Sequence, residues 1–172
     1  RELLVGEKYA AAVLDISSRT EILSVVVIDR ENGWALLKRP DPPLRLLSSN
    51  GESLSFLPLE RIKSDQEIFI IHSLDIFIHS GLEATLTRIS LVSPGTSTYA
   101  DPASPIFVFN GFVSLRNLGS LIYTRCEEKF CLLGIVAQTH PVPDKIQTEG
   151  FGLPIDFIYK QIKEKTGIDL HK

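Results

Sequence analysis

The feature that most constrains this chain is an apolar, β-branched run at residues 22–28, broken by Arg30-Glu31-Asn32-Gly33 and resumed as Trp34-Ala35-Leu36-Leu37-Lys38. Two heavy atoms on Cβ suit Val and Ile to a pleated, buried surface. Asn-Gly between two such runs supplies the positive φ that a tight hairpin turn demands. The same pattern recurs down the chain. Residues 8–15 are apolar and end at Ser17-Ser18-Arg19; Pro40, Pro42 and Pro43 break the chain, and Asn50-Gly51 marks another turn. Residues 67–72, 84–92, 107–109, 112–113, 121–124 and 130–136 continue the strand series. Residues 93–105 and the stretch holding Pro141, Pro143 and Gly150 are expected to be loops. Only the end is helical in pattern. Phe157, Ile158, Gln161 and Ile162 recur at helical spacing, Asp156 is the expected cap and Gly167 the stop. Many short strands closed by one helix imply a barrel or a sandwich.

A chain of 172 residues suits one domain, or two small barrels sharing an interface. Its hydrophobic fraction of 44% is enough for a core that needs no staples. The formal charge of −3 arises from 18 basic and 21 acidic residues with no block of one sign, which argues against a nucleic-acid surface. Lys160, Lys163, Lys165 and Lys172 are expected to form the solvated face of the terminal helix. No apolar run approaches the ~20 residues that span a bilayer, so no membrane insertion is expected. The opening Arg-Glu-Leu-Leu-Val-Gly lacks a signal-peptide pattern and the chain has no Met, so it is expected to be a piece of a longer protein or larger assembly.

The two cysteines, Cys126 and Cys131, flank Glu127-Glu128-Lys129-Phe130. On a strand–turn–strand they could face each other, and a disulfide forms if their Cβ atoms come within about 4 Å. The preferred reading is two small buried thiols in a reducing intracellular compartment.

The order of the segments resembles the trypsin-like serine proteases of the HtrA/Deg type. Residues 25–38 are similar to that family's strand, short acidic turn and Asp-Leu-Ala-Leu-Leu-Lys strand, with Pro43-Leu44-Arg45-Leu46 in the place of its next stretch. Residues 62–71 and 84–93 resemble two later strands. Asn117-Leu118-Gly119-Ser120-Leu121-Ile122-Tyr123, followed by a hairpin and Leu133-Gly134-Ile135-Val136-Ala137, is similar to the nucleophile loop and the strand after it. Phe151-Gly152-Leu153-Pro154-Ile155-Asp156 resembles the closing strand and helix. The resemblance implies an all-β, chymotrypsin-like double β-barrel: residues 1–58 a remnant of the first barrel, which need not be complete, 59–154 the second barrel, and 155–167 the C-terminal helix.

Acyl transfer on this template needs a nucleophilic Ser, a His base and an orienting Asp, with backbone N–H donors aimed at the oxyanion. The alignment places Leu118 at the nucleophile, Gly33 at the Asp, and Arg116 where a glycine eases the oxyanion turn; the segment bearing the His has no counterpart. Loss of one triad member costs about four to six decades of turnover. The resemblance therefore implies a pseudoprotease that binds a protein or peptide, or acts as a scaffold, through a cleft lined by Arg116, Leu118, Ser120, Leu133, Gly134, Ile135, Val136 and Ala137. The alternative is an active serine hydrolase with a rearranged site at Ser120, served by His72, His79 or His140. His72, Ser73, Asp75 and His79 offer a local triad, and His72, Asp75 and His79 a metal set, but their surroundings read as strand and loop. No phosphate-binding glycine loop occurs, and neither a cofactor nor a metal is expected.

Overall fold

The computed structural model describes residues 6, 8–12, 20–30, 34–38, 55–73, 82–93, 104–111, 117–141 and 148–169. Its elements, in order, are β1 (Lys8–Ala12), β2 (Thr20–Asp29), β3 (Trp34–Lys38), β4 (Ser55–Phe56), a 3₁₀ turn (Leu59–Arg61), β5 (Glu67–Ser73) and β6 (Leu82–Ser93). There follow β7 (Ile106–Gly111), β8 (Leu121–Cys126), β9 (Lys129–Pro141), β10 (Thr148–Pro154) and α1 (Ile155–Thr166).

The two runs on either side of Asn32-Gly33 pair as antiparallel strands, Asp29 with Trp34 and Ile28 with Ala35 across β2 and β3; the Asn32-Gly33 turn itself lies outside the described residues. On the other side of β2, Leu23 pairs with Tyr9 of β1, which completes a three-stranded antiparallel sheet.

The remaining long strands close into a six-stranded antiparallel barrel, in the spatial order β5-β6-β7-β10-β9-β8 and back to β5. Two meanders, β5-β6-β7 and β8-β9-β10, meet where β7 pairs with β10. The connection from β7 to β8 therefore joins strands that are not neighbours and must cross one end of the barrel, a Greek-key arrangement. Closure removes the free edges that an open sheet of this length would expose. Short β4 adds to the outside of β9 in parallel, at Ser55↔Cys131 and Phe56↔Leu132.

Alternation along the strands fills the interior. On β5, Ile68 and Ile70 are fully buried while Phe69 and Ile71 face outward, as a period of two requires. Phe107 and Phe109 of β7, also fully buried, are the largest side chains in the core. Their rings lie over Gly152 and Gly150, the residues paired with them on β10, and a Cβ at either glycine would overlap the ring. Gly150 is thus a strand residue that seats an aromatic, where the sequence suggested a loop. At the β5 and β8–β9 hairpin end, Gln66 donates to Thr124 Oγ1 (3.0 Å), and Thr124 donates in turn to the Glu67 carbonyl (2.7 Å). This satisfies the polar groups buried at that end of the core.

A second cluster lies outside the barrel. Trp34 of β3 packs with Leu132, Leu153, Ile155, Ile158 and Ile162, so α1 is held between the small sheet and the outer face of β9 and β10. Asp29, with 1% of its side chain exposed, accepts from Lys165 Nζ at 2.7 Å, and the same ammonium lies 5.7 Å from the Trp34 ring centroid. Lys165 is therefore tied down instead of belonging to a solvated lysine face. Asp156 also differs from expectation. Pro154 occupies the cap position, and Asp156, two residues further on in the first turn, accepts from Leu59 N–H (2.9 Å) and Phe157 N–H (2.9 Å). Gly167 ends α1 in the left-handed conformation, φ +73°, as its place in the sequence suggests.

Candidate functional site

The β7–β8 connection carries Asn117, Leu118, Gly119 and Ser120, which the resemblance sets at the nucleophile loop. Asn117 is buried, whereas Leu118 at the tip is 45% exposed, a large apolar side chain turned to solvent. Gly119 follows at φ +79°, a conformation that favours glycine. Two hydrogen bonds staple the turn to β9: Gly119 N–H donates to the Val136 carbonyl (2.8 Å), and Val136 N–H donates to that of Ser120 (2.9 Å). Ser120 N–H donates to the Asn117 carbonyl (3.0 Å). The amides of Gly119 and Ser120 are thus committed within the chain and are not donors for an anion.

The strand beside this turn divides its residues between two faces. Leu133 and Val136 point into the core, 0% and 1% exposed, so their side chains are not part of the surface. Gly134 is also buried, and Ile135 and Ala137 are half-buried. A Cβ on Gly134 would overlap the Leu153 carbonyl, so glycine is what allows β9 and β10 to approach there. Past Val136, the remainder of β9 pairs with β10 on one side; among the described residues no strand pairs with its other edge. Leu121, the first residue of β8, is 40% exposed, so Leu118 and Leu121 give this end of the barrel an apolar rim.

Half-buried Ser120 immediately precedes β8. On β5, Ile71 pairs with Leu121, and one further step of that antiparallel register sets the His72 backbone opposite Ser120. The side chains of His72, Ser73 and His140 lie outside the described residues, as do Arg116, Gly33, Asp75 and His79. Among the described residues no group of three or more His, Cys, Asp or Glu could hold a metal ion, and no helix is long and apolar enough to cross a membrane.

Cys126 and Cys131 form a disulfide across the β8–β9 hairpin, with their Cα atoms 5.9 Å apart. The preferred expectation of two separate thiols gives way here. The turn itself is only Glu127 and Glu128, because Lys129 and Phe130 already belong to β9. With Cys131 opposite Thr124, Cys126 comes two residues further along β8, and both sulfurs fall on one face.

The closing strand meets β9 as the resemblance requires: Gly152 pairs with Val136, Leu153 with Ile135 and Pro154 with Gly134, and α1 follows directly. These features define a protein class, an all-β Greek-key barrel with a C-terminal helix, compatible with the chymotrypsin-like fold. No protein-family model matches the chain, and no curated protein matches it.

Proposed function

We propose that this chain is a catalytically inactive relative of the trypsin-like proteases that binds a protein or peptide at the Leu118 end of its barrel. The reading rests on one observation above the rest. The turn that stands where a nucleophile would be carries an exposed leucine, and its next two amides are bonded within the chain. A leucine offers no attacking atom, but with Leu121 it offers apolar surface. The edge of β9 beyond Val136, with which no described strand pairs, offers main-chain donors and acceptors for an extended segment. An apolar anchor beside a strand edge that no described strand occupies is a combination that captures extended peptides.

The test is a panel of extended peptides titrated against wild-type protein and Leu118→Asp. Because Leu118 is exposed, the variant is expected to fold with an unchanged melting temperature. Affinity for any bound peptide is expected to fall at least tenfold, about 1.4 kcal/mol. Equal affinity in the two proteins would remove Leu118 from the site.

A second reading, a serine hydrolase rearranged around Ser120, draws on His72 and Ser120 each lying one residue beyond the Ile71↔Leu121 pair. A fluorophosphonate probe separates the two. No adduct on the folded protein is the expected result. A stoichiometric adduct that disappears in Ser120→Ala would establish a nucleophile and displace the inactive reading.

A further inference from the structure

At the opposite end of the barrel from Leu118, an open groove of about 1140 Å³ runs between the 3₁₀ turn, the start of β5 and the β8–β9 hairpin. The disulfide forms part of its wall, and both Cys126 and Cys131 line it. The two sulfurs differ in setting. Cys131 is 6% exposed and packs in the barrel core, while Cys126 is half-buried at the core's margin. The charges around the groove balance: Arg61, Lys63, Arg125 and Lys129 face Glu60, Asp65, Glu127 and Glu128. Access, not electrostatic steering, is what this site gives a small reagent.

We propose that the Cys126–Cys131 bridge is a redox latch on this mouth of the barrel, opened by a dithiol reductant while the rest of the fold stays intact. The incoming thiolate attacks the more accessible Cys126 sulfur. The S–S bond breaks, its electron pair leaves on the Cys131 sulfur, and that thiolate takes a proton. The reductant's second thiol, as thiolate, then displaces Cys126, which takes the second proton, and the reductant departs as its own cyclic disulfide. Two electrons and two protons pass to the protein. A buried Cys131 is a poor leaving group and stays poised to re-close a mixed disulfide, so a dithiol, which resolves that intermediate internally, opens the latch where a monothiol stalls.

Two observations make the open state a folded one. The hairpin is held by its own backbone pairs besides the bridge, from Leu121↔Ile135 to Cys126↔Lys129. The barrel is closed by β5–β8 and β9–β10 pairings that involve neither cysteine. What the bridge fixes is the hairpin end, where Glu127 sits at φ +55° without being glycine. Reduction would free that turn and loosen the groove wall around Leu57, whose N–H donates to the Leu132 carbonyl.

The experiment treats the whole protein with dithiothreitol in non-denaturing buffer, traps thiols with iodoacetamide, and follows intact mass, melting temperature and amide exchange. The expected result is a gain of two hydrogens, then alkylation of both cysteines. The melting temperature should fall by roughly 4–9 °C, as for a short cross-linked loop in a domain of this size. Faster exchange should be confined to the groove segments, with α1 and β10 still protected. A Cys126→Ser/Cys131→Ser variant should match the reduced protein; if it fails to fold, reduced wild type carries the comparison alone. Reduction only after global unfolding would overturn the latch, as would loss of protection throughout the barrel. Free thiols in the air-oxidised protein would overturn it as well.

Discussion

Single residues decide how closely this barrel can be drawn together, and the glycines of β9 and β10 carry most of that. Gly134 faces the Leu153 carbonyl, a backbone atom that cannot rotate away. Gly152 faces the Phe107 ring, a side chain that can yield a little. Gly134→Ala is therefore expected to cost about 3 kcal/mol or more, and Gly152→Ala about 1–3 kcal/mol, the ordinary range for overpacking. Gly119→Ala meets no atom, but its φ of +79° leaves a cost of about 1–2 kcal/mol from backbone strain alone. Urea unfolding ranks the three through their midpoints; the reverse order would mean that β9 and β10 are not this close. In the sequence these glycines are indistinguishable from turn glycines. Only the strand opposite reveals what each makes room for.

Among the elements, α1 joins parts that are distant in the chain. Of its buried face, Ile155, Ile158 and Ile162, the last two were legible from spacing, because a 3.6-residue period marks a buried stripe wherever the helix docks. Its partners were not. Lys165 reaches back to Asp29, 136 residues earlier, and Asp156 reaches Leu59, 97 residues earlier. Lys165→Ala would take this ammonium from buried Asp29, and because Lys165 is itself 38% exposed the expected loss is about 1–3 kcal/mol. A double-mutant cycle with Asp29→Asn should return a coupling above about 0.5 kcal/mol. Additive single mutants would mean that the small sheet is not clamped to the helix through this pair.

For the molecule as a whole, alkaline stability reports on the barrel's outer packing. Burial raises the phenol pKa of Tyr123 on β8 and of Tyr159 on α1. In the unfolded chain these phenols ionise near the usual value of about 10, whereas the folded protein holds their protons to higher pH. Folding is thus coupled to keeping protons. That stabilisation is complete below about pH 10 and is lost as pH rises through the raised folded values. Urea midpoints should decline across that window, and phenolate absorbance should show two of the tyrosines titrating late. Replacing both by Phe should flatten the decline; an unchanged slope would place its origin elsewhere.

Local chemistry in the sequence was sufficient for the elements themselves. β-Branched runs made strands and Gly167 ended α1, because each is decided by backbone sterics within a few residues. The candidate site was legible only as a vacancy: Leu118 lacks a nucleophilic atom whatever the fold. Which strands are neighbours was a different matter. The pairing of β7 with β10, the closure of β5 on β8 and the crossing that carries Leu118 over the barrel end join residues far apart in the chain. No local pattern encodes such partners, since a strand's hydrogen-bonding edge is the same whichever strand fills it. The same holds for the disulfide, where spacing permitted the bridge and the two-residue turn brought the sulfurs together. Tertiary packing alone decided which face of β9 was buried, which glycines had to be glycines, and that Lys165 would close on Asp29.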